Sequence, residues 1–73
     1  MPIIDMTATG INIKRIRESK GYTVRDIQEA FGFATANTVY KWQRGESLPT
    51  IDNLLALSEM FEVKMEEIIV TAE

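Results

Sequence analysis

Three neighbouring polar residues, Asn37, Thr38 and Lys41, are of the types that can read the edges of base pairs. The amide of Asn37 can pair with adenine through two hydrogen bonds, Lys41 can donate to guanine O6 and N7, and Thr38 can contact thymine. The ordinary alternatives are that Asn37 caps a helix and that Lys41 is a solvated surface lysine. Both interpretations stay open at this point.

Residue types suited to catalysis are nearly absent. The 73 residues include no Cys and no His, which excludes cysteine nucleophiles, zinc sites of the Cys/His type and imidazole-dependent triads. Ser19, Ser47 and Ser58 therefore have no imidazole partner, and the adjacent carboxylates of Glu66 and Glu67 would diverge on a helix. We expect no enzymatic activity, no bound metal, no cofactor and no small-molecule ligand.

Charge is distributed unevenly along the chain. The formal net charge is −3 and the sequence pI is near 4.9, which alone argues against a polyanionic partner. Residues 1–45, however, contain seven Lys/Arg against four Asp/Glu, whereas residues 46–73 contain one base against seven acids. Such a chain can present a basic face to nucleic acid, although two ordinary solvated faces would give the same pattern.

The sequence shows no targeting segment and no membrane span. Residues 1–9 have no basic stretch and no long apolar run, so we expect no secretion signal. The longest apolar runs, residues 54–57 and 68–70, are too short to cross a bilayer. The absence of Cys is compatible with a reducing compartment, and we expect a cytoplasmic protein with no membrane partner.

Glycine spacing and capping residues place the helices that must position these side chains. Glycine is favoured just past a helix end, and the glycines at 10, 21, 32 and 45 divide the chain into segments of helix length. Thr9 is the predicted N-cap of the first helix, Thr23 and Asp26 form a predicted capping box, and Thr50 caps the fourth helix. The predicted helices are residues 10–20, 23–31, 36–44, 51–61 and 65–70, and only residues 2–6 have strand character.

This pattern predicts an all-α five-helix bundle, with residues 10–70 as the domain, residues 1–9 as an N-terminal arm and residues 71–73 as a tail. Arg17 is predicted to make a hydrogen bond inside the fold. Trp42 shares a helix face with Val39, so it is predicted to be buried rather than to stack on a base. The expected core consists of Ile13, Ile16, Ile27, Phe31, Val39, Trp42, Leu54, Leu57 and Phe61.

A short turn joins the second and third predicted helices. The second helix ends at Gly32, and the third directs apolar residues inward and small polar, aromatic and basic residues outward. A helix that lies in the major groove of DNA requires this arrangement, and its N-terminus attracts a phosphate.

Taken together, the motifs resemble the helix-turn-helix domain of the phage-repressor and Cro type, the Xre family. The resemblance covers about residues 10–70 and is carried by Arg17 ahead of the corner at Lys20 and Gly21, and by residues 23–27, 39–45, 48–50, 53–54 and 61–63. It implies a lambda-repressor-like bundle that binds double-stranded DNA, usually as a dimer, and regulates transcription. We expect a repressor.

The resemblance also assigns roles to individual residues. By position, it assigns base reading to Ala36, Asn37 and Lys41, with Thr38 and Tyr40 beside them. The residues assigned to the phosphate backbone are Thr23, Arg25, Thr35 and Arg44.

Three departures from the family pattern accompany the resemblance. The turn that begins at Gly32 is one residue longer than usual. Val24 stands where glutamine is common, so Arg25 would have to supply the phosphate contact. Gln43 replaces a usual glutamate, which leaves Arg17 a hydrogen bond in place of an ion pair.

Apolar residues in the last two predicted helices indicate a partner chain. We expect a symmetric dimer through four of them, which are more apolar than so short a chain needs to bury: Leu55, Met60, Met65 and Ile69. The alternative function is a protein-interaction module that has the same fold but uses its apolar C-terminal helices on another protein. An interruption of the basic face by Asp26 and Glu46 would favour that alternative.

Overall fold

The computed structural model describes residues 2–72, which form five helices and a two-stranded sheet that joins the chain ends. The all-α five-helix architecture predicted from the sequence is confirmed. Met1 and Glu73, the outermost residues of the predicted arm and tail, lie outside the described residues. In chain order the elements are β1 (Ile3–Ile4), α1 (Met6–Ser19), α2 (Val24–Phe31), α3 (Asn37–Gln43), α4 (Ile51–Phe61), α5 (Met65–Ile68) and β2 (Thr71–Ala72).

The sheet is antiparallel, with Ile3 opposite Ala72 and Ile4 opposite Thr71. β1 lies in the segment predicted to have strand character. β2 was not predicted, because pairing with the other end of the chain leaves no local pattern in the sequence.

The first helix begins at Met6 rather than at Gly10, and the prediction of Thr9 as its N-cap is wrong. The N-cap is Asp5, whose carboxylate accepts a hydrogen bond from Ala8 N at 2.9 Å. Aspartate caps helices at least as well as threonine does, and the earlier start adds a turn to α1. Thr9 is a buried residue inside that helix.

The predicted capping box of α2 is confirmed. Thr23 Oγ1 accepts from Asp26 N at 3.0 Å, and the Asp26 carboxylate accepts from Thr23 N at 2.7 Å. Gly32 ends the helix in the left-handed conformation, with φ +70°. α4 has the predicted bounds and the predicted cap, Thr50, whose hydroxyl accepts from Asn53 N at 3.3 Å.

The last helix is shorter than predicted. α5 ends at Ile68, because Ile69 has extended backbone angles (φ −78°, ψ 130°) and directs the chain towards β2. Ile68 is fully buried and belongs to the core.

The predicted core is confirmed apart from Phe31, which is half-buried at the end of α2. Its ring packs against Phe33 and Trp42, with centroids 5.6 and 6.1 Å away. The position of Phe31 next to the turn explains its partial exposure.

Two glycines allow α1 and α3 to approach closely. A Cβ on Gly10 would lie 2.2 Å from the carbonyl oxygen of Trp42, and a Cβ on Gly45 would lie 2.8 Å from Thr7 Cα. Gly10 lies inside α1 and is not a helix boundary, because its role is to make room for the backbone of α3. The contact fixes the end of α3 against the first half of α1.

Within residues 2–72, none of the helices combines the length and the apolar character that crossing a lipid bilayer would require.

Candidate nucleic-acid interface

The start of α3 is formed by a polar turn. Ala36 occupies the N-cap position without a side-chain cap, and Thr35 Oγ1 accepts a hydrogen bond from Asn37 N at 3.2 Å. Asn37 is the first helical residue, and its side chain is exposed. The alternative that Asn37 caps the helix is therefore wrong.

The outer face of α3 carries the side chains predicted to read bases. Asn37 and Lys41 are both exposed and lie one turn apart on the same face, with Tyr40, 44% exposed, between them along the chain. Ala36 and Thr38 are half-buried and present less of their surface. The structure thus groups Asn37, Tyr40 and Lys41 on one exposed stripe and leaves Ala36 and Thr38 partly covered.

The inner face of α3 holds that stripe in a fixed orientation. Val39 and Trp42 are 0% and 2% exposed, so this side of the helix is closed to solvent. The prediction that Trp42 is a core residue is confirmed. Because one face of α3 is buried, the opposite face must point away from the bundle.

The turn between α2 and α3 is a packed segment. Phe33 N donates to Gln28 O at 3.0 Å, and Gln28 Nε2 donates to Phe33 O at 3.4 Å. The Phe33 ring meets Trp42 with 5.8 Å between centroids. Sequence reasoning assigned no role to Phe33 or Gln28, although an aromatic residue directly after the helix-ending Gly32 was a usable signal.

Arg17 connects α1 to the end of α3, as predicted. It is 8% exposed, its Nε donates to Gln43 Oε1 at 3.0 Å, and its Nη1 donates to Tyr22 O at 2.8 Å. Glu18 lies 3.9 Å from the guanidinium, too far for a hydrogen bond. Arg17 is therefore committed to holding α3 in place and does not belong to the exposed face.

Two of the residues assigned to phosphate lie at the start of α2. Thr23 is exposed at the N-cap, where its hydroxyl already accepts the bond from Asp26 N. The Arg25 side chain is 84% exposed and makes a 2.9 Å ion pair with Glu29, one turn further along. Since Asp26 is bound into the capping box, its carboxylate is engaged by the backbone of Thr23.

The other two phosphate candidates, Thr35 and Arg44, lie at opposite ends of α3, and both are exposed. Arg44 Nε donates to the carboxylate of Glu46, two residues further on. This hydrogen bond lowers the pKa of the Glu46 carboxyl, and the positive charge of Lys41 adds a smaller lowering. An acidic residue therefore stands beside two of the cations at this end of α3 and interrupts the basic face, as expected for the alternative, a protein-interaction module.

Of the four apolar residues expected at a partner surface, three also pack against the core of the same chain: Met60, Met65 and Ile69. Leu55 is 50% exposed, and Met60, Met65 and Ile69 are half-buried. Ile51 fits the apolar pattern of α4 in the sequence, yet it is 74% exposed. It lies at the first position of the helix, where only the following turns pack onto the bundle.

Comparison with known proteins places this geometry among known folds. A helix-turn-helix family model, HTH_3, matches residues 13–68. The solved structure of the DNA-binding domain of BldD from S. venezulae aligns with a TM-score of 0.74 and 23% identity, covering 89% of this chain and 96% of that one. The restriction-modification controller protein C.AhdI from Aeromonas hydrophila aligns with a TM-score of 0.76 and 20% identity, covering 88% of this chain and 96% of that one.

No curated protein matches the chain significantly. At these identities, the solved structures establish the shared fold. The family model covers most of the chain, from the middle of α1 to the end of α5. The chain therefore belongs to the helix-turn-helix family of the phage-repressor type.

Proposed function

We propose that this chain is a DNA-binding transcription regulator that places α3 in the major groove. The observation that carries the proposal is the division of α3 into two faces: Val39 and Trp42 are buried, while Asn37, Tyr40 and Lys41 are exposed together. A helix held in this way can enter a groove without disturbing the core behind it. The structures that share the fold are described as a DNA-binding domain and a controller protein, which supports this proposal.

Each exposed residue of α3 has a chemical role in the proposal. Asn37 pairs with adenine, Lys41 donates to guanine, and Tyr40 contacts a neighbouring base or sugar. Thr38 and Ala36, which are half-buried, contribute van der Waals contact to a thymine methyl group. The phosphate backbone is contacted by Thr23, Arg25, Thr35 and Arg44.

The regulator acts as a repressor by occupying its site on the duplex. One chain makes few phosphate contacts and binds weakly, so two copies bind half-sites about 34 Å apart. The extents of one chain, 36 × 23 × 20 Å, suit coverage of a single half-site. In this proposal the two copies meet through Leu55, Met60, Met65 and Ile69.

Sedimentation tests the dimer. The parent chain should sediment as a dimer at high concentration or on DNA, and Leu55→Glu should sediment as a monomer because it places a charge in the interface. Ile11→Glu, at an exposed position of α1, is the matched control and should leave the dimer intact. A parent chain that stays monomeric both alone and on DNA would remove this part of the proposal.

A binding titration against selected and scrambled duplexes, at several salt concentrations, tests the DNA function itself. Selection from a random pool first supplies the preferred duplex. Asn37→Ala should cost about 1–3 kcal/mol on that duplex and little on scrambled ones, because a base contact carries the sequence preference. Arg44→Ala should weaken binding to all duplexes alike and make the salt slope shallower by about one unit.

Glu66→Gln is the control for these variants. It changes the net charge by one unit on α5, which carries none of the proposed DNA contacts, and should alter neither preference nor slope by much. If Asn37→Ala and Arg44→Ala bind like the parent chain, α3 is not a recognition helix. The protein-interaction module would then be the better hypothesis.

A further inference from the structure

The loop after α3 brings an acidic side chain back onto the end of that helix. Gly45 has a φ of +73°, and the chain reverses there so that Glu46 N donates to Lys41 O at 2.9 Å. The Glu46 carboxylate consequently lies against Arg44, whose Nε donates to it. The geometry is local, because the two residues are separated only by Gly45.

Both members of this pair are accessible to solvent. The side chains of Arg44 and Glu46 are 56% and 51% exposed, so neither is needed to fill the core. Arg44 makes no other side-chain hydrogen bond among the described residues. The pair thus engages the Nε of an arginine with an internal acid at a position where the proposed function needs that side chain to bind phosphate.

We propose that Glu46 occupies Arg44 in the DNA-free protein and must be exchanged for a phosphate oxygen when the duplex binds. The inference rests on the proposed DNA-binding function and adds an intramolecular competitor to it. Carboxylate and phosphate both accept the N–H donors of a guanidinium, so one Arg44 Nε cannot serve both at full strength. Glu46 therefore lowers affinity for every duplex, independently of sequence.

The size of the effect follows from the exposure of the pair. Because exposed ion pairs are weak, the change in the binding constant should not exceed about fivefold. Removing the carboxylate also removes its direct repulsion of the phosphates. The experiment must separate these two effects, since both would tighten binding.

A double-mutant cycle in a binding titration makes this separation. Glu46→Gln should bind preferred and scrambled duplexes about threefold to fivefold more tightly than the parent chain. In the Arg44→Ala background, where no guanidinium remains to be released, the same substitution should increase the affinity for DNA by less than about 1.5-fold. Glu66→Gln changes the net charge by the same amount but on α5. Near 0.1 M salt, where the Debye length is about 10 Å, it should also increase the affinity for DNA by less than about 1.5-fold.

Three results would overturn the inference. Weaker binding by Glu46→Gln would mean that the carboxylate orients Arg44 towards the phosphate and so assists the contact. If Glu46→Gln increases the affinity equally with and without Arg44, Glu46 acts only by repelling the phosphates and not by occupying Arg44. If the parent chain binds duplexes but Glu46→Gln binds no more tightly than Glu66→Gln, only this inference fails, whereas a parent chain that binds no duplex removes the proposed function together with it.

Discussion

Arg17 shows how a single side chain can decide the orientation of α3. It is the one charged residue buried among residues 2–72, and burying a charge is costly unless hydrogen bonds compensate for it. Gln43 Oε1 and the carbonyl oxygen of Tyr22 supply that compensation at 3.0 and 2.8 Å. A neutral amide is a weaker hydrogen-bond acceptor for a guanidinium than a carboxylate is, so a stronger contact is possible at this position.

Replacing that amide with a carboxylate should stabilise the fold. Gln43→Glu should raise the free energy of unfolding by about 1 kcal/mol near neutral pH, because a charge-assisted hydrogen bond replaces a weaker one. The nearby guanidinium lowers the pKa of the new carboxyl in the folded state. The gain is therefore present above the unfolded-state pKa and is lost as the pH falls through the lowered, folded-state pKa.

Urea unfolding at about pH 7 and about pH 3 measures this difference. Gln28→Glu is the matched control, since Gln28 donates to Phe33 O and a carboxylate cannot. It should lose stability at neutral pH. A Gln43→Glu variant that is less stable than the parent chain at neutral pH would show that burying the charge costs more than the hydrogen bond contributes.

For single residues, the sequence correctly predicted the roles of those whose partners are close along the chain or lie on the same helix face. The capping box of Thr23 and Asp26 depends on a three-residue spacing, and the burial of Trp42 depends on a shared face with Val39. Thr9 was misassigned because its hydroxyl bonds the backbone of Val70 at the other end of the chain. Local spacing contains no information about such a partner.

The helices α2 and α4 end on different types of residue. Gly32 closes α2 with a positive φ, as glycine does readily, whereas α4 closes on Glu62 with φ +57°. A side chain in the left-handed region is strained by about 1–2 kcal/mol, because the Cβ atom crowds the following carbonyl oxygen. The end of α4 is therefore a place where the fold tolerates strain.

Relieving that strain should stabilise the protein. Glu62→Gly should raise the free energy of unfolding by about 0.5–1 kcal/mol, since the loss of Cβ strain exceeds the entropy that glycine adds to the unfolded chain. Thermal unfolding compares it with Glu59→Gly, the same substitution at an exposed interior position of α4. That control should lose about 1 kcal/mol. Equal losses in both variants would mean that Glu62 is not strained.

Element boundaries were predictable where one residue type determines them. Gly21, Gly32 and Gly45 all have positive φ and follow helices, as the spacing indicated. Gly10 looks identical in the sequence but lies inside α1, because its role is to admit the carbonyl oxygens of α3. A requirement for space between two elements cannot be distinguished from a helix end without knowing which elements touch.

At the scale of the whole molecule, α1 holds the C-terminal segment in place. Asn12 Nδ2 donates to the carbonyl oxygens of Glu67 and Ile68 at 2.8 and 2.9 Å, which satisfies acceptors that the end of α5 leaves without intrahelical partners. Asp5 N donates to Val70 O at 2.8 Å, immediately before β2. These contacts join the two chain ends into one unit with the bundle, and none of them was predicted from the sequence.

The hydroxyl of Thr9 is the most enclosed of these contacts and gives the sharpest test of the junction. It is 1% exposed, accepts from Val70 N at 2.9 Å and donates to Val70 O at 3.3 Å. Thr9→Val keeps the shape of the side chain but removes the acceptor, so the N–H of the half-buried Val70 loses its partner, whereas Val70 O keeps the bond from Asp5. The free energy of unfolding should fall by about 1–3 kcal/mol.

Two measurements check this expectation, urea unfolding and hydrogen exchange at the Val70 amide. In Thr9→Val the Val70 amide should exchange faster than in the parent chain. Amides in the middle of α4 should change their exchange rates only as much as the change in overall stability requires. Thr7→Val, at an exposed position of the same helix, is the matched control and should leave both measurements near those of the parent chain. If Thr9→Val retains full stability and full protection of Val70, the junction is held by the backbone bond from Asp5 and the side chain of Asn12, and the threonine hydroxyl contributes nothing to it.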